Sequence, residues 1–164
     1  MMRVLGIDAG ERRLGLAISD RSRTLARPLT TLEVNGLGDA VDRVAREIER
    51  LAAEEDGLAS IVVGLPRRLD GSPNEQTGRV RSFIESLAAR ILLPIAQVDE
   101  RLTSREAESR LAHGERDWRR RKAKLDAAAA AIILQGYLDQ LHDHVSTNER
   151  AHQTAEDAED AEEG

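Results

Sequence analysis

The sequence predicts an α/β protein built on a mixed sheet, with an antiparallel opening hairpin followed by parallel strands. The first observation is a pair of apolar runs, Met2 to Asp8 and Leu14 to Asp20, that only a short turn separates. The second is that segments of helical periodicity alternate with apolar runs further along the chain. Helices in such an arrangement cover the faces of the sheet.

The first half of the chain contributes a third strand, a helix and a fourth strand. The third strand is predicted around Ala26 to Val34, and Pro28 favours a position at the sheet edge. From Asp39 to Gly57, apolar residues recur at intervals of three and four, which is typical of an amphipathic helix. The β-branched run from Ser60 to Leu65 predicts a strand that is buried on both faces.

The second half begins with a helix signal in which Ser72 is the N-cap and Glu75 completes a capping box. A strand within Ile91 to Val98 and a helix from Thr103 to about Leu111 follow. The last helix is predicted to begin at Asp126. Its apolar stripe consists of Ala129, Ala130, Ile133, Leu134, Tyr137, Leu138 and Leu141.

The charge is unevenly distributed along the 164 residues. Residues 148–164 hold seven acidic residues and one arginine, which account for the whole formal charge of −6. We therefore expect a single folded domain over 1–147 and a disordered acidic tail over 148–164. No apolar run is long enough to span a membrane and no secretory signal is evident, so we expect a cytoplasmic protein without a membrane partner.

Three carboxylates stand at the ends of predicted elements. Asp8 ends the first strand, Asp99 or Glu100 ends the strand after Pro94, and Asp126 begins the last helix. Parallel strands bring their carboxyl ends to one edge of a sheet. Alternation along the strand leaves the choice between Asp99 and Glu100 open, because the sequence does not say which face the last helix covers.

Each carboxylate has an ordinary structural explanation when it is taken alone. Asp8 suits a turn, Asp126 suits an N-cap, and Glu100 suits an ion pair with a nearby arginine. Together they would repel one another unless a cation lay between them. The chain has no cysteine, and oxygen ligands favour Mg²⁺ or Mn²⁺, so we expect one of these ions as the cofactor.

Four segments resemble, in order and at suitable separations, the signature segments of the bacterial YqgF (RuvX) family. They are VLGIDAGERRLGLAISD, IVVGLPRRLDGS, VDERLTS and KLDAAAAAIILQGYLD. The resemblance implies a ribonuclease H-like fold with a mixed five-stranded sheet. It also implies a Holliday junction resolvase-like nuclease that is associated with maturation of the 5′ end of pre-16S ribosomal RNA.

The resemblance also implies roles for single residues. It makes Asp8, Glu100 and Asp126 both the catalytic residues and the metal ligands, and so selects Glu100 over Asp99. Ala9 departs from the family pattern, in which an aromatic or basic residue often follows the first aspartate.

A basic segment precedes the last helix. Residues 116–124 contain six basic residues and the single tryptophan, Trp118. Cations near a helix start oppose the helix dipole, so a phosphate backbone is a better explanation than helix stability. With the turn after the fourth strand, the predicted nucleic-acid-binding residues are Arg67, Arg68, Trp118, Arg119, Arg120, Arg121, Lys122 and Lys124.

The leading hypothesis is a hydrolase: a metal-dependent nuclease that acts on structured RNA or branched DNA. One alternative is a non-catalytic RNA-binding factor in ribosome assembly. A less favoured one is an ATP-phosphate-binding domain of the actin, Hsp70 or sugar kinase type, because those proteins enclose the nucleotide between two such domains. The sequence does not distinguish a monomer from a homodimer, whose two active sites would suit a four-way junction.

Overall fold

The computed structural model describes residues 1–66, 68, 70–99 and 126–145. These residues form a five-stranded sheet with the strand order β3-β2-β1-β4-β5. The first three strands are antiparallel neighbours, whereas β4 pairs parallel with β1 and β5 pairs parallel with β4. The strands are β1 (Arg3–Ala9), β2 (Arg13–Ser19), β3 (Ala26–Glu33), β4 (Leu58–Leu65) and β5 (Ile95–Asp99). The predicted α/β class with a mixed sheet is confirmed.

Helices cover both faces of this sheet. On one face, α1 (Leu37–Ala53) and α2 (Glu75–Ala88) pack on Leu5 and Ile7 of β1 in the larger apolar cluster. On the other face, the helix over 126–145, here called α3, packs on Val4, Ala17 and Val62 in a second cluster. Successive residues of β1 therefore face opposite layers, as the period of a strand requires.

The predicted positions of several elements are confirmed in detail. β4 is buried on both faces, with Ile61 and Val63 in one cluster and Val62 in the other. β3 lies at the sheet edge, where its Pro28 pairs with Ala17 beside a register shift. The buried stripe of α3 contains Ala129, Ala130, Ile133, Leu134 and Leu138, with Tyr137 and Leu141 partly buried against it.

The predicted start of α2 is wrong by two residues. Its N-cap is Asn74, whose side chain accepts a hydrogen bond from the Thr77 N–H at 3.0 Å, while the Asn74 N–H donates to the Thr77 hydroxyl at 2.9 Å. Thr77 thus takes the place in the capping box that was expected for Glu75. Ser72 instead bonds to Asp70 in the preceding turn.

The predicted strand after Pro94 is confirmed, because β5 begins at Ile95. The helix expected from Thr103 lies outside the described residues, as does the boundary expected at residue 147. In the described part of the chain, no helix has the length and apolar character needed to cross a membrane.

A buried arginine fixes the end of α1 to the start of the sheet. Arg3 is 7% exposed and donates hydrogen bonds to the carbonyl oxygens of Gly57 and Leu51, at 3.2 and 3.3 Å. It also pairs with Glu54 at 2.8 Å. The hydrogen bond from Arg3 holds the pKa of Glu54 below its usual range.

The Arg3–Glu54 pair predicts a pH-dependent contribution to stability. A carboxylate whose pKa is lower in the folded state stabilises the fold above its unfolded pKa, and this contribution is lost as the pH falls through the folded pKa. We expect Glu54→Gln to lower the thermal unfolding midpoint at pH 7, and the gap from the unsubstituted protein to close under acidic conditions. Unfolding followed by circular dichroism across that pH range checks this; a gap that is constant at every pH would contradict it.

Candidate active site

Asp8 lies near the end of β1 on the face of the sheet that α3 covers. Gly6, two residues earlier on the same face, touches α3: a Cβ atom added there would lie 2.8 Å from the Cβ of Leu134. Alternation along the strand puts Asp8 on that face as well, one step closer to the edge of the sheet. Its side chain is half-buried.

Asp126, at the start of α3, lies against the neighbouring strand β2. In the sheet, Asp8 pairs with Gly15 of β2. A Cβ atom added at Gly15 would lie only 1.9 Å from the carbonyl oxygen of Asp126, which is far inside any real contact. The backbone of Asp126 therefore rests on the glycine that is the sheet partner of Asp8. The structure thus places the backbone of Asp126 against the pair of strands that carries Asp8.

Glu100, the third predicted carboxylate, lies outside the described residues. Asp99, the alternative to Glu100 at this position, is the last residue of β5 and is exposed. On the same strand, Ala96 and Val98 pack against the cluster that α3 forms with the sheet. Among residues 1–66, 68, 70–99 and 126–145, no three acidic or histidine side chains form a group that could hold a metal ion.

Of the predicted nucleic-acid-binding residues, the structure describes Arg68. It is exposed in the loop after β4, where its backbone closes a turn with Gly71 and Ser72 through hydrogen bonds of 2.8 and 2.9 Å. This loop leaves the same edge of the sheet at which Asp8 lies. The other members of the set lie outside the described residues: Arg67, Trp118, Arg119, Arg120, Arg121, Lys122 and Lys124.

A cleft of about 810 Å³ opens beside Asp8, and the sequence did not reveal it. We call it the Asp8 cleft; it lies between the β1–β2 turn and the first turns of α1 and α2. Its lining includes Asp8, Glu11, Leu14, Gly36, Ala40, Glu75, Gln76, Gly78, Arg79, Val80, Ser82 and Phe83. Three separate parts of the chain form the lining, so no pattern within one segment of the sequence predicts the cleft.

One polar contact lies across the Asp8 cleft and a second lies beside it. Arg79 of α2 pairs with Glu11 of the β1–β2 turn at 3.0 Å, which links the two sides of the opening. At the start of α1, the Asn35 N–H donates to Asp39 at 2.9 Å, and this hydrogen bond lowers the pKa of the Asp39 carboxyl. The first turn of α1 is thus anchored next to Gly36, whose φ of +96° suits glycine.

Comparison with known proteins identifies the family of this chain. The family model described as "RuvX: Holliday junction resolvase" matches residues 2–140. The chain belongs to the RuvX family. This confirms the relationship that the four segments indicated.

Two named relatives are similar to this chain over most of their length. A protein of Dictyoglomus thermophilum is 44% identical over 138 residues, covering 84% of this chain and 96% of the relative. One of Chloroflexus aggregans is 41% identical over 136 residues, covering 83% and 92%. Both bear the name "Putative pre-16S rRNA nuclease". These names confirm the prediction of an enzyme of the nuclease class.

Among solved structures, RuvC of Thermus thermophilus is similar at 16% identity, with a TM-score of 0.48, over 86% of this chain and 97% of that chain.

The contact between Gly15 and Asp126 predicts a strong effect of a single methyl group. We expect Gly15→Ala to lower the free energy of unfolding by about 3 kcal/mol, because the backbone at the start of α3 must move to admit the Cβ atom. The matched control is Gly136→Ala, at an exposed position of α3 where a Cβ atom meets nothing within 4 Å. It should raise stability by about 0.5–1 kcal/mol through helix propensity. Urea unfolding of both variants measures this; equal stabilities would contradict the contact.

Proposed function

We propose that the protein is a divalent-metal-dependent nuclease that cleaves structured RNA during maturation of the 5′ end of pre-16S ribosomal RNA. The observation that carries this proposal is the approach of Asp126 to Gly15, the sheet partner of Asp8. The names of the relatives support the substrate. Processing of a ribosomal precursor also supports a cytoplasmic location.

Asp8 and Asp126 are the proposed ligands for Mg²⁺ or Mn²⁺. Both are hard oxygen donors; Asp8 is half-buried, and the Oδ2 atom of Asp126 is shielded from solvent. Such donors at the edge of a sheet fit a divalent cation. When bound, the cation supplies an activated water and stabilises the charge that develops on the leaving oxygen.

Glu100 is the proposed third ligand. Ala96 and Val98 of β5 face α3, and residue 100 has the same parity along the chain. This parity supports Glu100 over Asp99. The three carboxylates would act together as catalytic residues by fixing the cation, and with it the scissile phosphate, at the carboxyl edge of the sheet.

The basic residues are the proposed contacts to the phosphate backbone. In the sequence, Arg67 and Arg68 come two and three residues after the end of β4, and residues 116–124 precede α3. Guanidinium and ammonium groups bind phosphates without regard to sequence. Trp118 would add stacking on a base. Substrate recognition would then depend on backbone and shape more than on base sequence.

The proposal predicts that Asp8→Asn and Asp126→Asn each lower kcat/KM for Mn²⁺-dependent RNA cleavage about 100-fold or more. This corresponds to about 2.7 kcal/mol of transition-state stabilisation. Glu100→Gln should have an effect of the same order, whereas Asp99→Asn, the matched control on the exposed neighbour, should stay within about threefold.

The assay uses a pre-16S fragment, single strands and a four-way DNA junction, each with Mn²⁺ and with chelator. Thermal unfolding shows whether each variant folds. Full Mn²⁺-dependent cleavage by a normally folded Asp126→Asn protein would contradict the assignment of the site.

Branched DNA is the second candidate substrate, because the family model is described by Holliday junction resolution. Paired cuts in a four-way junction need two active sites, which a homodimer with two-fold symmetry would supply. Cleavage of the junction in preference to the RNA in the same panel, together with a dimeric mass, would favour this substrate.

A further inference from the structure

We propose that the Asp8 cleft receives one unpaired base of the RNA strand that is cut, so that the enzyme selects sites with an unstacked nucleotide. This inference rests on the proposed nuclease function and specifies its substrate. It arises from the position, the lining and the charge of the cleft.

The cleft and the proposed metal site share one residue at the edge of the sheet. The side chain of Asp8 lies on the face of β1 that α3 covers, whereas the apolar floor of the cleft belongs to the cluster on the opposite face. A strand that crosses this edge with its phosphate near Asp8 has the cleft next to it. A nucleotide beside the cut can therefore place its base in the cleft.

The lining suits a flat group with apolar faces and polar edges. Leu14, Val80 and Phe83, each no more than 3% exposed, form the apolar floor beneath the cleft, and Leu37, which is 46% exposed, offers apolar surface at its side. Gln76 and Ser82, both on α2, supply amide and hydroxyl groups at the wall. The volume of about 810 Å³ lies within the range of about 300–1,000 Å³ that is usual for small-molecule sites.

The charges of the lining distinguish a base from a phosphate. Apart from Asp8, whose side chain lies on the other face, the lining residues include two carboxylates, those of Glu11 and Glu75, and one cation, Arg79. Arg79 is already paired with Glu11 at 3.0 Å. A phosphate would meet net negative charge in the cleft, whereas an uncharged base would not. The occupant is therefore the base, and the backbone stays outside.

Base capture implies selectivity for unpaired nucleotides. Removing a base from a stacked duplex costs a few kcal/mol, and the cost is lowest where the base is already unpaired. A bulge, a loop or a single-stranded end next to the cut would therefore be preferred over a continuous duplex.

The test measures binding in the absence of cleavage. The probe is a fluorescein-labelled RNA duplex with one unpaired adenosine, compared with the same duplex carrying an abasic nucleotide at that position. Fluorescence anisotropy in the presence of chelator gives both affinities. We expect the protein to bind the adenosine probe about tenfold more tightly, which corresponds to about 1.4 kcal/mol gained by burying one base against apolar surface.

Two tryptophan substitutions locate the effect. Gly78 lines the cleft on an exposed turn of α2, and a Cβ atom there meets nothing within 4 Å, so the side chain of Gly78→Trp can occupy the cleft. Gly136→Trp introduces the same side chain at an equally open, exposed glycine of α3, on the other face of the sheet. Gly78→Trp should abolish the tenfold difference, and Gly136→Trp should preserve it.

The outcomes separate this inference from the proposed function. Equal affinities of the unsubstituted protein for the two probes, or a preserved difference in Gly78→Trp, would overturn base capture even if RNA is cleaved normally. A difference that Gly78→Trp alone removes supports base capture, even if no probe is cleaved when Mn²⁺ is added. The absence of cleavage with Mn²⁺ would count against the proposed nuclease function only.

Discussion

The candidate site depends on close packing of α3 against β1 and β2, which each have a glycine where the helix touches them. Gly6 of β1 and Gly15 of β2 leave room for α3, and the chain at Asp126 lies where the Cβ atom of any other residue at position 15 would be. Glycine in a strand interior weakens the strand, so a packing reason is expected where it occurs. Here the reason is the close approach of the Asp126 backbone to Gly15, the sheet partner of Asp8.

Apolar packing on the same helix holds the backbone of Asp126 against Gly15, the sheet partner of Asp8. Two like charges about 4 Å apart repel by about 4 kcal/mol at the effective dielectric constant of a protein surface. Burying each large apolar side chain stabilises the fold by about 1.5–3 kcal/mol. The stripe of α3 buries Ile133, Leu134 and Leu138 almost completely, so packing is strong enough to keep α3 in place before any cation binds. A cation would then remove the repulsion.

The sequence predicted the elements better than the contacts between them. The periodicity of α3 and the β-branched run of β4 report directly on burial, which is why both predictions are confirmed. The contact of Gly15 with Asp126 joins residues far apart in the chain. A glycine inside an apolar strand does not show which distant residue packs against it. The Asp8 cleft was missed for the same reason. At the start of α2, the prediction placed the N-cap at Ser72 and the structure places it at Asn74, because asparagine and serine are about equally favourable N-caps and the residue type alone does not choose between them.

Diffraction from a crystal grown with Mn²⁺ would show whether Asp8 and Asp126 share one cation, because anomalous scattering locates the ion without any assay of activity. We expect one anomalous peak at bonding distance from carboxylate oxygens of both Asp8 and Asp126. A Mn²⁺ ion bound by only one of these residues, or bound at a different place on the protein while both carboxylates lack it, would contradict the shared site.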